Sequence, residues 1–344
     1  VRAFGFVTEG VGIGLYSGSA DASVRVWDVA KGLCTSNVPF GGDVTALLIA
    51  GGWLFIGTPG SISCVHMGGA FEQHELPGHT GAVQALCAAL ERGMIISAGQ
   101  DRTVRAWVFN PEAGRFAAAG TLVGHEGIVS CLLVAGKLLF SGSLDGTVRV
   151  WDLDTAACVF VAPAHEGGVM CMLLWENHLV TAGLDGRIRV WAGVGGPLEN
   201  KFTHPDDANK EEANGALTAG VFMPAGRTGA AGGRGGGRGG GAAPRLPKAL
   251  AMCGTVNAEG EPILVVSALL TPSVAAPQLL TRNAPAGYDD SSMRFFALPS
   301  FEERGRMTQR CCVRALAASA GGFLSGDEKG LIRAWAWGGA GAKT

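Results

Sequence analysis

His79, His125 and His165 are the residues of this sequence best equipped for chemistry, because each is followed in its own segment by an aspartate: Asp101, Asp145 and Asp185 respectively. An imidazole beside a carboxylate can serve as a general base, and the same two side chains can ligate a transition metal. Either use demands a site unlike its surroundings. Here the pair occurs three times, once per sequence repeat, and catalytic centres do not come in triplicate, so a structural role accounts for it better. Enzyme signatures are also absent: Gly10, Gly12 and Gly14 do not complete a dinucleotide fingerprint, and there is no GxSxG elbow, P-loop or HExxH.

A second chemistry-bearing stretch is Gly232 to Gly241, GGRGGGRGGG, which with Arg227, Arg234, Arg238, Arg245 and Lys248 forms the one basic, acid-free segment. Guanidinium planes stack on bases and pair with phosphates while glycine keeps the chain pliant, so this segment is a candidate RNA contact; its plainer reading is a linker. The acidic run Asp206, Asp207, Glu211 and Glu212 just before it can fold back on those arginines.

The elements that must position these residues are legible as a repeat. SGSLDGTVRVWD at Ser141 to Asp152 has close variants at Ser17 to Asp28, Ser97 to Trp107, Thr181 to Trp191 and Ser325 to Trp335. Each reads as an apolar strand, a tight turn at Asp-Gly or a similar pair, and an alternating β-branched strand ending on Trp, which is a β-hairpin. A degenerate copy runs through Val44 to Ile49, Trp53 to Gly57 and Ser61 to Val65, without the Asp and Trp. From Trp27 through Val65, Trp107 and Trp151 to Trp191 the closing positions recur with a period of roughly 40 to 45 residues, as expected for four-stranded blades. The next closing residue, Phe296, lies more than two periods on. Two insertions in the sixth unit account for the excess, Pro205 to Lys248 and Leu270 to Tyr288, both expected as loops within a single domain spanning 1–344. Trp335 closes a seventh unit.

Composition is consistent with a large core: 344 residues, 47% hydrophobic and 16% charged, with 55 glycines divided between turns and the Gly/Arg run. A formal net charge of −2 argues against a surface that grips nucleic acid or anionic membrane as a whole. The nine cysteines include no CxxC pair, and Cys131 and Cys171 fall at equivalent positions among apolar neighbours, as core residues would. With no signal peptide and no long apolar run, a cytoplasmic or nuclear setting is expected. The chain begins at Val1, which reads as processing or as a fragment of something longer.

These repeats resemble the WD-repeat family. The resemblance implies an all-β, seven-bladed propeller with a degenerate second blade, large insertions in the sixth and an incompletely closed seventh. It implies a buried network in three units: His79, Ser97, Asp101 and Trp107; His125, Ser141, Asp145 and Trp151; His165, Thr181, Asp185 and Trp191. Physical chemistry agrees, since a buried indole needs an acceptor, imidazole can accept on one nitrogen and donate from the other, and Asp can accept from both His and turn amides. Unit one has Ser17, Asp21 and Trp27 but no His, unit two has almost none of the set, and unit seven has Lys329 in the place of Asp; these blades should be looser. The recurrent Arg25, Arg105, Arg149, Arg189, Arg294 and Arg333 share one sheet face and are expected to pack between blades with their heads snorkelled outward.

Three stretches are similar to the WD-repeat half of plant CCCH zinc-finger/WD-repeat proteins: Gly41 to Ile62, Lys201 to Asp207 and Leu298 to Met307. That family's RNA-binding part is a CCCH finger, and its ligand spacing does not occur in this chain. In WD-repeat proteins the residues just before the turn Asp often meet partners. Here they are Ala20, Gln100, Leu144, Leu184 and Asp289, with Arg102 and Arg187 as a charged rim, and Leu144 and Leu184 on adjacent blades can form one apolar docking patch. The reading is a non-catalytic protein-interaction scaffold, part of an RNA-associated factor, with other proteins as partners and no cofactor, metal, membrane or small-molecule substrate. Direct RNA binding through the Gly/Arg segment is the alternative. A ubiquitin-ligase substrate receptor is disfavoured, because Ala30 and Asp154 stand where such receptors tend to carry Arg.

Overall fold

The computed structural model describes residues 1–7, 14–29, 31–68, 73–176, 178–193, 202–203, 219–222, 248–257, 259–269, 291–298, 300–309, 311–319 and 322–337. Apolar strands alternating with tight turns fold into small antiparallel sheets. Blade one orders β1 (Ala3–Val7), β2 (Gly14–Gly18), β3 (Ser23–Asp28) and β4 (Leu33–Pro39) from the inside outward. Blade two contains β5 (Ala46–Ala50), β6 (Trp53–Gly57), β7 (Pro59–His66) and the start of the long β8 (Gln73–Ala89). The end of β8 is the innermost strand of blade three, followed by β9 (Met94–Gly99), β10 (Thr103–Asn110) and β11 (Arg115–Val123). Blade four is β12 (Val129–Ala135), β13 (Leu138–Ser143), β14 (Thr147–Asp152) and β15 (Cys158–Pro163).

Blade five is β16 (Val169–Trp175), β17 (His178–Gly183) and β18 (Ile188–Gly193), edged by β19 (Phe202–Thr203) and β20 (Ala219–Phe222), which pair with different ends of β18. Blade six is β21 (Lys248–Val256), β22 (Pro262–Leu269), β23 (Ser291–Ala297) and β24 (Glu302–Gln309). Blade seven has three strands among the described residues, β25 (Val313–Ser319), β26 (Gly322–Asp327) and β27 (Ile332–Ala336), so the expected incomplete closure is present.

A lone four-stranded sheet buries neither face, and these sheets bury theirs against one another. Six apolar cores each draw from two adjacent blades; Trp151 of blade four, for example, packs on Ile96, Ala98 and Val104 of blade three. At the remaining seam Phe4 of blade one sits so close to Gly326 of blade seven that a Cβ there would lie 2.7 Å from the ring. Thus β1, β5, β8, β12, β16, β21 and β25 form a ring around a channel of about 480 Å³ lined by residues of all seven.

Five of these inner strands shift register, at Gln84, Ser130, Met170, Leu250 and Arg314. Such bulges re-aim a side chain, and Gln84, Ser130, Met170 and Arg314 line the channel mouth. The hydroxyls of Thr45 and Ser130 donate across to the Val83 and Val169 carbonyls of the next blade, stitching neighbours together.

One expectation needs correcting in detail. Pro205 to Lys248 is not loop throughout: β20 lies inside it and supplies blade five's outer edge, and Lys248 already begins β21. Alternation too short to register in a Gly-rich context hid β20. The second insertion, 270–288, lies outside the described residues.

Candidate functional site: the turn face and its buried relays

In blades three to five the hairpin turn and the preceding loop meet on one face of the disc. The turn's left-handed position is taken by Gly146 (φ 88°) and Gly186 (φ 72°), and by Arg102 (φ 65°) where no glycine is available. Beneath each turn a relay of side chains is complete. Trp107 Nε1 donates to Ser97 Oγ at 2.8 Å, Ser97 Oγ meets His79 Nε2 at 2.8 Å, and His79 Nδ1 meets Asp101 Oδ2 at 2.8 Å. In blade four the same three distances, for Trp151, Ser141, His125 and Asp145, are 2.8, 2.7 and 2.8 Å. In blade five, for Trp191, Thr181, His165 and Asp185, they are 3.0, 2.8 and 2.9 Å.

A hydroxyl has one proton to give, so having accepted from the indole it donates to Nε2, which leaves Nδ1–H to donate to the carboxylate. Both nitrogens of every imidazole are thereby engaged. Burial pushes His79 and His125 down against the pull of Asp101 and Asp145. Burial alone would raise the carboxyls of Asp101, Asp145 and Asp185, but the bonds they receive outweigh it and hold all three below the ordinary range. Those bonds come from the His and from the turn: Asp145 also accepts from Glu126 N at 3.0 Å, Thr147 N at 2.8 Å and Thr147 Oγ1 at 2.6 Å. No member is left to move a proton to a substrate. What the relay does is fix the loop to the turn.

The structure puts the expected partner residues on that face with unequal exposure. Leu144 is 36% exposed and Leu184 half-buried. They flank the Gly167–Gly168 loop: a Cβ on Gly168 would lie 2.9 Å from Leu144 Cδ2, and one on Gly167 would lie 3.8 Å from Leu184 Cβ. Gln100 is exposed but its Oε1 accepts from Ala82 N at 3.2 Å. Ala20 and Arg102 are exposed and Arg187 is half-buried. Asp289, Arg227, Arg234, Arg238 and Arg245 lie outside the described residues, and Lys248 is described only as backbone in β21. The strand arginines Arg105, Arg149, Arg189 and Arg294 have buried Nε atoms without a hydrogen-bond partner, and the Arg105 and Arg149 heads fill the space that a side chain on Gly78 or Gly124 would need.

Two features were not singled out from the sequence. Asp327, two residues before Lys329, takes over the seventh turn: it is 2% exposed and accepts from Lys329 N, Leu331 N and Arg333 Nη1. The other is the His-Glu-Gly triplet at 125–127 and again at 165–167, a repetition visible in the sequence, which sets exposed Glu126 and Glu166 beside Leu144 and Leu184. Among the described residues no three His, Cys, Asp or Glu side chains group to hold a metal, and no helix is long and apolar enough to cross a membrane.

The family model for the WD domain, G-beta repeat, matches residues 71–107, 117–152 and 156–192, the segments ending in the three relay tryptophans or just beyond them. The chain carries a WD-repeat β-propeller domain. Over nearly its whole length this WD-repeat chain is related to plant CCCH zinc-finger proteins. It is 34% identical to zinc finger CCCH domain-containing protein 17 of Oryza sativa subsp. japonica over 94% of this chain and 60% of that protein. It is 33% identical to zinc finger CCCH domain-containing protein 62 of Arabidopsis thaliana over 93% of this chain and 64% of that one. The chain thus spans less than two thirds of these relatives' length, and the finger motif itself does not occur in it. Solved structures with the same fold include U3-55K (TM-score 0.61, 16% identity, covering 91% of this chain and 84% of that one) and the RRP9 WD40 repeats (TM-score 0.61, 16% identity, 91% and 83%).

Proposed function

We propose that this WD-repeat propeller is a non-catalytic protein-interaction scaffold that docks other proteins on its turn face, and that it works within an RNA-associated factor in the cytoplasm or nucleus. The observation that carries the docking face is Leu144, a large apolar side chain left over one third exposed on a loop system that the relays of blades four and five hold rigid. Rigid presentation lowers the ordering cost of binding, and an apolar anchor at the centre of a polar face is where interface energy concentrates. Its kinship with CCCH zinc-finger proteins supports the RNA-associated setting. Affinity capture with wild type and Leu144→Asp side by side tests the face: partners should be lost from the variant while its urea midpoint stays put, and an unchanged set of partners overturns the reading.

Direct RNA contact by Arg227, Arg234, Arg238 and Arg245 is the second reading, favoured by their place in the one acid-free basic segment. Deleting 223–247 spares β20 and β21. It should remove RNA affinity and its salt dependence together; retained affinity would discard this reading.

A further inference from the structure

On blades four and five, carboxylates and leucines alternate around the turn face: Glu126, Leu144, Glu166, Leu184. The geometry that produces this order is specific. Glu126 N donates to Asp145 Oδ2 at 3.0 Å and Leu144 N to Ile128 O at 2.8 Å, so the Glu126 loop lies along the Leu144 turn. Glu166 N donates to Asp185 Oδ2 at 3.3 Å and Leu184 N to Gly168 O at 3.0 Å, so the next blade repeats the arrangement. The two are joined, because Gly168 (φ 116°) lets the blade-five loop close onto Leu144 of blade four, and Gly127 lets the Glu126 loop pass within 2.6 Å, measured from a would-be Cβ, of Asp145 N. Both glutamates are exposed, and neither has an ion-pair partner within salt-bridge distance among the described residues. The flanking cations are Arg187, half-buried beyond Leu184, Arg102, one blade away, and Arg189, which is drawn to Asp185 at 4.0 Å and feels the Glu166 charge without bonding to it.

Among the described residues the pattern is absent elsewhere on the same face. The equivalent positions in blade three are Thr80 and Gln100, in blade one Ala20, and in blade seven Glu328 beside Lys329. Arg25 pairs with Asp21 at 3.2 Å and Arg314 with Glu328 at 3.7 Å, so the charges of the blade seven and one side largely satisfy each other. Unpaired carboxylates remain where the exposed leucine is.

We infer that blades four and five form a docking site for an extended protein segment that alternates basic and apolar residues, its ammonium or guanidinium groups meeting Glu126 and Glu166 and its apolar side chains resting on Leu144 and Leu184. This rests on the scaffold reading and adds the partner's chemistry. Two carboxylates beside the anchor repel a phosphate backbone, so a protein segment is favoured over RNA at this place. Opposite charges at the rim set specificity and association rate, and the apolar contact supplies the bulk of the affinity.

The test uses fluorescence anisotropy on the whole chain with three labelled probes: a peptide alternating Lys and Leu, one alternating Glu and Leu, and a single-stranded uridine oligomer. The Lys–Leu peptide should bind saturably and more weakly as salt is raised. Glu126→Lys combined with Glu166→Lys should lose about tenfold or more of that affinity and shift preference to the Glu–Leu peptide. Leu144→Asp should lose a comparable amount. These are exposed side chains, and an unchanged urea midpoint verifies that each variant is folded. If charge reversal leaves Lys–Leu binding unchanged while Leu144→Asp abolishes it, the partner chemistry is wrong and the docking face stands. If neither variant alters binding, both fall. Tighter binding of the uridine oligomer than of the Lys–Leu peptide to the wild type overturns the choice of a protein partner.

Discussion

Blades three to five and blades one, two and seven are built from one sequence pattern yet are held together differently. In the first group Trp107, Trp151 and Trp191 are 1%, 2% and 2% exposed, and the relay aspartate side chains 6%, 12% and 5%. In blade one Trp27 Nε1 still donates to Ser17 Oγ at 2.8 Å, but no imidazole links Ser17 to Asp21, which is 49% exposed. Blade seven has Trp335 on Ser325 at 2.8 Å, and its turn is held by Asp327 from a different position. Blade two has no relay and fills the corresponding volume with apolar contacts, among them Phe55 and Ile62, both fully buried. The lesson is that strand pairing and interblade burial suffice to make a blade, while the relay adds a rigid loop on one face. The face is therefore stiff over blades three to five and softer elsewhere.

The largest effect expected from breaking this contrast is at the tryptophans. Trp151→Ala empties a core shared by two blades and strips Ser141 of its donor, and should cost about 3–5 kcal/mol by urea denaturation; Trp335→Ala, at a partly exposed position, should cost clearly less. Equal losses would mean that the blades are equivalent after all. Next comes the carboxylate. Asp145→Ala leaves the His125 Nδ1–H and the turn amides without their acceptor in a buried setting, for about 2–3 kcal/mol, whereas Asp21→Ala on the open turn of blade one should cost under about 1 kcal/mol.

Thiol labelling sharpens the contrast without altering the fold. Burial pushes Cys64 up to about 12, and at 1% exposure it reacts only when blade two opens. Cys64, in the relay-free blade two, should label by local opening well before global unfolding, after the exposed Cys34 and Cys158 have reacted at once. Labelling of Cys64 only at the rate of global unfolding would remove the link between relay and rigidity.

The smallest effect is that of pH. His79 and His125 titrate below their unfolded value, so their contribution is complete above about pH 6.5 and is eroded as pH falls beneath it, because the unfolded chain then binds the extra protons. Asp101, Asp145 and Asp185 are depressed too, and their contribution is present above about pH 3.9 and lost as pH falls through their folded values. Urea midpoints measured downward from neutrality should fall in both windows, and His125→Gln should flatten the upper one. A midpoint that does not change with pH between neutrality and mild acid would contradict the neutral, buried imidazoles.

Much of this was readable from residue types. Five hairpins ending in Trp, four of them with Asp at the turn, set the period that gives seven units, and the missing His of unit one and the Lys329 of unit seven foretell which blades deviate. Of the six strand arginines that the alternation assigns to interblade packing, Arg105, Arg149, Arg189 and Arg294 have buried Nε atoms, whereas Arg25 and Arg333 are over a third exposed and pair with Asp21 and Asp327. Three things were not readable. β20 hides in a Gly-rich run because four residues carry too little periodicity to stand out, and only pairing with β18 makes them a strand. Asp327 replaces Lys329 because a turn can be capped from either end, and the choice depends on which carboxylate reaches the free amides. The Glu–Leu alternation joins residues far apart in the sequence and across two blades, and no local pattern records that neighbourhood.

By itself, then, the sequence determined the unit of construction, its number and its internal relay, since those follow from periodicity and from hydrogen-bonding capacity within one repeat. Only the tertiary structure decided which side chains stay exposed on the shared face, because exposure there is set by how one blade's loop closes on the next blade's turn, a contact between repeats that a repeat's own residues do not encode.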